Sequence, residues 1–244
     1  MQNQIRVSSG TIAPIRSRYR FEESLKIANV GDRPQSERTL KRMPTTNKLD
    51  ESRISADPFQ QFRKWLQEGT GKRALLPQTM TLATATRSGR PSARTLLLRT
   101  FDDSGFVFYT DYSGRKGREL AENSQAALVF YWPRTGRQVR VEGRVSKVSS
   151  KESDIYFSSR ARDSQLSAWA SQQSRVVRDR RFLEERVKRF GEKYPGRIPR
   201  PPNWGGYRLR PSVFEFWKER PGRLHDRLSY RRSKGRWIIQ RLAP

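Results

Sequence analysis

The chain has 244 residues, 34% hydrophobic and 11% aromatic, enough to bury about 70% of its extended surface in one large core or two small ones. It has no cysteine and one histidine, His225, which excludes disulfides, a cysteine nucleophile and the usual zinc or copper sites. The 51 Lys and Arg against 24 Asp and Glu leave +27, a field that attracts nucleic acid, anionic membrane or phosphorylated small molecules without choosing among them.

No apolar run reaches the roughly 18 residues of a membrane span, and the N-terminus lacks the apolar stretch of a secretory signal. The expectation is a soluble cytoplasmic protein, with organellar import left open. Residues 1–55 carry 11 basic and 6 acidic residues, so +22 of the charge belongs to residues 56–244. That segment is polar and without sustained apolar periodicity, and reads as a mostly irregular extension with a short helix around Tyr19–Ile27.

The domain proper is expected over 56–244. Asp57-Pro58 opens an amphipathic helix, with Asp57 as N-cap, Pro58 in the first helical position and Phe59, Phe62, Trp65 and Leu66 on one face. Met80–Thr86, Ser92–Thr100 and Phe106–Thr110 are β-branched and apolar runs separated by turn residues, which predicts an antiparallel meander. Ser113–Asn123 reads as a short helix, Ala126–Trp132 as a fully buried strand and Gln138–Val148 as a long alternating strand. Lys151–Arg160 and Val177–Phe190 read as helices. Tyr207–Arg210, Val213–Trp217, Leu224–Arg232 and Trp237–Leu242 supply the last strands. Seven or eight antiparallel strands with few helices predict a closed or nearly closed barrel, since closure removes exposed edges.

Three clusters can carry chemistry. Arg94 and Arg99 flank an apolar strand, and Arg115 and Lys116 open a short helix where free N–H groups add to their charge, a plausible phosphate cradle. Strand alternation puts Arg94 and Arg99 on opposite faces, so one anion touching both needs a strand end or a bulge. Tyr156 and Arg160 stand one helical turn apart, with Ser164 following as helix gives way to loop; hydroxyls and a guanidinium fork suit a phosphate dianion. Arg223, His225 and Arg227 alternate onto one strand face and ask for an anion opposite. The bland alternatives are solvated arginines, helix packing and an ordinary surface histidine.

With these residues in place the chain resembles the pyridoxine/pyridoxamine 5′-phosphate oxidases. The match runs from about Ala56 to Pro244 and rests on ordered motifs, among them Arg94-Thr-Leu-Leu-Leu, Phe108-Tyr-Thr, Arg115-Lys116, Tyr156-Phe-Ser-Ser-Arg160, Gln173-Ser174, Trp204-Gly-Gly, Glu215-Phe-Trp217, Arg223-Leu-His-Asp-Arg227 and the terminal Arg241-Leu-Ala-Pro.

The resemblance implies a mainly β, antiparallel split β-barrel with flanking helices, a homodimer binding FMN at the subunit interface. It implies that Arg94, Arg99, Arg115 and Lys116 serve the FMN phosphate region, and Tyr109, Thr110, Gln138, Gln173, Ser174, Trp217 and Arg227 the rest of the flavin. It places Arg99, Tyr156, Arg160 and Ser164 at the substrate phosphate, and Arg223 and His225 over the pyridine ring as catalytic residues. The implied reaction oxidises pyridoxamine or pyridoxine 5′-phosphate to pyridoxal 5′-phosphate, passing a hydride equivalent from C4′ to flavin N5, with O2 as acceptor and H2O2 as product.

Several positions depart from the family pattern. Arg99 stands where lysine is usual, Asp111 where asparagine is usual, and Ala161, Ser167, Lys218 and Glu219 where Pro, Gly, Gln and Gly are common. The family's Arg-x-x-Tyr pair over the active site aligns with Lys41 and Pro44, while Arg16-x-x-Tyr19 keeps the pattern farther upstream. The competing readings are a split-barrel protein that binds FMN or pyridoxal phosphate with little turnover, and a basic nucleic-acid binder, which the dispersed arginines disfavour. Neither a membrane nor nucleic acid is an expected partner.

Overall fold

The computed structural model of the chain describes residues 48–69 and 77–244. The helix expected around 19–27, the Arg16/Tyr19 pattern, and Lys41 and Pro44 lie outside the described residues.

The first element is α1 (Pro58–Gly69), which starts where the sequence places it: Asp57 Oδ1 accepts the Phe59 N–H at 2.9 Å. In place of the expected meander the chain forms two hairpins, β1 (Thr79–Ala85) with β2 (Pro91–Leu97) and a short β3 (Thr100–Asp102) with β4 (Gly105–Asp111), because the run expected as one strand from Ser92 to Thr100 breaks after Leu97. Next come α2 (Arg115–Glu122), β5 (Gln125–Trp132) and β6 (Arg137–Lys147). Three helices, α3 (Ser150–Ser158), α4 (Arg162–Ala170) and α5 (Arg180–Lys193), lead to β7 (Trp204–Lys218), β8 (Asp226–Ser233) and β9 (Arg236–Arg241).

The strands form one antiparallel sheet in the order β2-β1-β5-β6-β7-β4-β3, with β8 on β7 and β9 on β8. The split comes from β7. Its first half, 204–209, pairs with β4, and its second half, 213–218, pairs with β8, while β6 runs along both. Pro211, which has no N–H to donate, sits at the switch, where the register slips between Glu142 and Gly143. A Cβ on Gly143 would lie 2.0 Å from the Arg210 carbonyl oxygen, so only glycine permits that approach.

Helix α1 fills the barrel. Phe62 meets Phe106 and Phe130 edge-on at centroid separations of 5.0 and 4.8 Å, Phe59 meets Phe214 at 5.2 Å, and Trp65 meets Phe216 at 5.2 Å. Residues just ahead of α1 lie against the same core: Leu49 is buried, Ile54 packs on it, and the Tyr230 hydroxyl donates to the Ser55 carbonyl at 2.6 Å. A second apolar cluster, Phe157, Leu166, Ile198 and Trp204, joins α3 and α4 to the start of β7.

The structure corrects four further expectations. Strand β5 is not fully buried: Leu128, Phe130 and Trp132 point inward while Tyr131 is 55% exposed, because one face of β5 looks away from the core. Residues 207–217 form one strand, since the irregularity at Pro211 is taken up as a bulge in β7 itself, where Ser212 is left unmatched between the partners of Glu142 and Gly143. Helix α4 was not foreseen; Ala161 gives it no side-chain cap, and its polar sequence has little amphipathic signal, so Ser164 lies inside a helix and not in a loop. The chain before β8 is a 3-10 turn, Pro221–Arg223, so Arg223 and His225 precede the strand and are not ordered by strand alternation.

Candidate functional site

The cradle around α2 is held by a buried acid. Glu119, one turn after Arg115, accepts from Arg115 Nε at 2.8 Å and from Arg94 Nη2 at 3.2 Å, and also takes the hydroxyls of Thr84 and Ser92. Burial would raise the pKa of this carboxylate, yet the hydrogen bonds from Ser92, Thr84, Arg115 and Arg94 overcome that and hold it at about 2. Arg94 spends its remaining Nη hydrogens on the Leu82 carbonyl, Thr84 and Ser92.

Lys116, buried on α2, donates to Thr110 Oγ1 at 3.0 Å and Gln173 Oε1 at 2.6 Å. Burial, then the nearby Arg94, push its pKa down, while Asp111 and Glu119 oppose them. Gln173 approaches Gly114 so closely that a Cβ there would lie 2.7 Å from its Oε1. Ser174 adopts a left-handed backbone (φ 69) and its hydroxyl accepts the Arg115 N–H at 3.1 Å. Such a conformation costs about 1–3 kcal/mol in a non-glycine residue and is found where a contact requires it. The structure thus brings Arg94, Thr110, Arg115 and Lys116 together with Gln173 and Ser174, which the resemblance had added to them, while Arg99 lies apart from this cradle in a neighbouring cleft.

A cleft of about 250 Å³ opens beside the cradle, with Arg99, Arg160, Tyr109, Tyr156 and Trp204 among its walls. Tyr109 and Tyr156 stack at 3.8 Å, Tyr156 and Trp204 lie nearly parallel, and the Arg160 guanidinium sits 4.7 Å over the Trp204 ring. Arg99 lies 5.8 Å over Tyr156. Two guanidiniums therefore share one aromatic wall. Arg160 Nη1 is buried and without a partner among the described residues. Burial and Arg99 lower the Arg160 pKa, with Tyr156 opposing. Arg99 follows the end of β2, which frees it from strict alternation with Arg94. Ser164 does not line this cleft.

The third cluster lies at the other end of β7. Gln138, Trp217 and Arg227 are register partners across β6, β7 and β8, and the His225 ring lies 4.6 Å from that of Trp217. His225 Nδ1 accepts the Arg220 N–H at 3.1 Å, which leaves Nε2 as the outward nitrogen. Arg223 is exposed, with a left-handed backbone (φ 62). Arg227 donates through Nε to buried Glu215 at 2.8 Å and through Nη1 to the Ala243 carbonyl at 2.7 Å; the Glu215 hydrogen bond raises its pKa. None of Trp217, Arg223, His225 and Arg227 lines the cleft. Sequence reasoning missed Glu119 and Glu215; the signals were the i,i+4 spacing from Arg115 and an acid set between Phe214 and Phe216.

Comparison with known proteins bears on this geometry. Residues 71–194 match the family model for pyridoxamine 5′-phosphate oxidase, and residues 204–244 match the pyridoxine 5′-phosphate oxidase C-terminal dimerisation region. The chain belongs to the pyridoxamine 5′-phosphate oxidase family. The pyridoxine/pyridoxamine 5′-phosphate oxidase of Burkholderia mallei (strain SAVP1) is 54% identical over 199 residues, covering 80% of this chain and 93% of that protein. The protein of the same name from Gloeothece citriformis is 50% identical over 212 residues, 86% of this chain and 99% of its own.

Among solved structures, PhzG from Burkholderia lata, in complex with tetrahydrophenazine-1-carboxylic acid, superposes with a TM-score of 0.76 at 33% identity, covering 81% of this chain and 98% of its own. A pyridoxamine 5′-phosphate oxidase-related, FMN-binding protein from Nostoc punctiforme shares the fold, with a TM-score of 0.63 at 20% identity over 78% of this chain and all of its own. The fold is the family's split barrel, its oligomer the homodimer, and its cofactor FMN. The residues present fit a phosphate-bearing flavin, because Lys116 meets only neutral acceptors and Arg115 keeps both Nη groups free of protein partners among the described residues. Among the same residues no helix is long and apolar enough to cross a membrane.

Proposed function

We propose that this protein oxidises pyridoxamine 5′-phosphate and pyridoxine 5′-phosphate to pyridoxal 5′-phosphate, with O2 as acceptor and H2O2 as product. The observation that carries the reading is the cleft in which Arg99 and Arg160 converge beside Tyr156, leaving a buried guanidinium N–H without an acceptor. A phosphate monoester dianion supplies charge and acceptors for both guanidiniums, and the aromatic wall of Tyr109, Tyr156 and Trp204 gives the ligand an apolar flank.

Bound FMN supplies the two-electron acceptor that O2 reoxidises. Arg94, Arg115, Lys116, Thr110, Gln173 and Ser174 bind and orient it, and Gln138, Trp217 and Arg227 form its second wall. Arg223 and His225 lie over the substrate ring: His225, held through Nδ1, presents Nε2, and Arg223 adds a guanidinium that orients the ring and contributes positive charge to the site that takes up the electron pair. Because these residues do not line the cleft of their own chain, the partner protomer supplies them, and the dimer is the catalytic unit.

A second reading draws on the likeness to PhzG, whose structure holds a tricyclic carboxylic acid. A single carboxylate is a poorer match for two convergent guanidiniums than a phosphate dianion. Anaerobic addition of pyridoxamine 5′-phosphate to the flavin-loaded protein is expected to bleach the flavin band, which air restores. Bleaching by a dihydro-aromatic carboxylate alone would establish the second reading, and retained flavin that neither reduces would mark a binder with little turnover.

A further inference from the structure

The terminal Arg241-Leu-Ala-Pro run and the buried acid Glu215 converge on one side chain, Arg227. Strand alternation puts Gln138 and Arg140 of β6, Glu215 and Trp217 of β7, and Arg227 and Ser229 of β8 on one face of the sheet. The register sorts them into two rungs, Gln138, Trp217 and Arg227, and two residues along, Arg140, Glu215 and Ser229. Arg227 reaches diagonally from the first rung to the second: its Nε donates to Glu215 Oε1 at 2.8 Å, and Glu215 Oε2 lies 2.9 Å from Arg140 Nη2.

The tail arrives from the other side. The β8–β9 ladder ends at the Leu228–Arg241 pair and is carried one step past β9, where the Leu242 N–H donates to the Arg227 carbonyl at 2.9 Å. That step brings the Ala243 carbonyl to Arg227 Nη1 at 2.7 Å. Arg241 fixes the base of the tail, donating to Glu51 through Nε and Nη2 and to Asp226 through Nη1.

We propose that the C-terminal tail, through the Ala243 carbonyl, and Glu215 are positioning elements of the cofactor site: together they clamp Arg227 and aim its Nη2 edge at the flavin. The inference rests on the FMN reading above and extends it to residues that touch no ligand.

The guanidinium is planar and rigid, so fixing Nε and Nη1 fixes the direction of Nη2, which has no protein acceptor among the described residues. An arginine without such a clamp gives up its rotamer freedom when the ligand binds, whereas here folding has already removed it. Glu215 is 4% exposed and is held by two guanidiniums, of which Arg227 alone belongs to the rung assigned to the flavin. Ala243 and Pro244 are exposed and take no part in the apolar core, so the contact with Arg227 is what this end of the chain contributes. Loss of the Glu215 charge would leave more positive potential near the flavin, which opposes the loss of aim. Shortening the tail removes an acceptor and keeps every charged side chain, and so separates the two effects.

The test uses the protein freed of flavin and titrated with FMN and with riboflavin, which lacks the phosphate. Removal of Ala243 and Pro244 is expected to weaken both flavins about fivefold, and Arg227→Gln about tenfold, the scale of one charge-assisted hydrogen bond. The preference for FMN over riboflavin, set at the phosphate end, should keep its wild-type value. In the Arg227→Gln background the same removal should cost nothing more, because tail and guanidinium act as one unit. Removal of Pro244 alone leaves acceptor oxygens on Ala243 and should leave both affinities as in wild type. Glu215→Gln should also weaken both flavins, and again not in the Arg227→Gln background. Wild-type affinity after loss of Ala243 and Pro244 overturns the proposal; so does an equal loss in the Arg227→Gln background, which marks a structural role, or an equal loss when Pro244 alone is removed. If Glu215→Gln does not fold, the tail series decides by itself. A wild-type chain that does not prefer FMN to riboflavin would instead sink the cofactor reading.

Discussion

The two ends of the candidate site differ in how finished they are within one chain. Around α2 the hydroxyls, the lysine and the buried carboxylate already engage one another, and the cations are aimed before any ligand arrives. At the Pro221–Arg227 end, Arg223 is exposed on a left-handed turn and His225 is held by one hydrogen bond to a neighbouring backbone N–H. The first end is preorganised by the fold, and the second, in the proposed dimeric site, takes its final surroundings from a partner. Binding of the flavin phosphate should therefore resist change at the catalytic end, and turnover should respond to it.

The largest expected effect is on the cleft. Arg160→Met removes the buried, unpaired guanidinium and should raise the KM for pyridoxamine 5′-phosphate by about 100-fold, the scale of a lost charge-assisted pair, with flavin content unchanged. Steady-state kinetics beside the flavin absorbance of the same preparation check it, and loss of flavin in step with KM would erase the distinction between cleft and cradle. Next in size, Arg223→Glu should lower kcat by about 100-fold with FMN retained, and His225→Asn by about tenfold, since one electrostatic group and one positioned imidazole are removed from the reacting ring.

A smaller effect sharpens the contrast through pH. The folded-state pKa of Glu119, about 2, lies below its ordinary value of 4.5, so its contribution to stability is complete above that ordinary value and fades as pH falls from about 4.5 toward 2. Thermal melts over this window should show wild type losing more stability than Glu119→Gln. Equal slopes would mean that the cradle's hydrogen bonds add nothing to folding.

Much of the barrel was legible because apolar alternation, Asp57-Pro58 and the turn residues act locally. Helix α1, the β1–β2 hairpin and the α2 helix follow from such signals. What was illegible depends on distant partners. Helix α4 carries no cap and little amphipathic pattern, and is held by packing of Leu166 and Ala170 that no local window contains. Glu215 reads as an ordinary strand residue until the register of β7 with β6 and β8 shows Arg140 and Arg227 reaching it. The alternation expected for Arg223, His225 and Arg227 does not hold, because a 3-10 turn carries Arg223 and His225 precedes the strand that begins at Asp226.

The continuity of β7 has a consequence for the dimer as a machine. One strand carries Trp204, in the cleft, near its start and Trp217, beside His225, near its end, up to about 40 Å of extended backbone apart. If each site draws its cleft from one protomer and its catalytic end from the other, every β7 is shared by both sites, and the two copies of the strand form a closed loop of rigid linkage. The pair would then be two halves of one device, in which a strain at the Pro211 bulge reaches both catalytic centres at once.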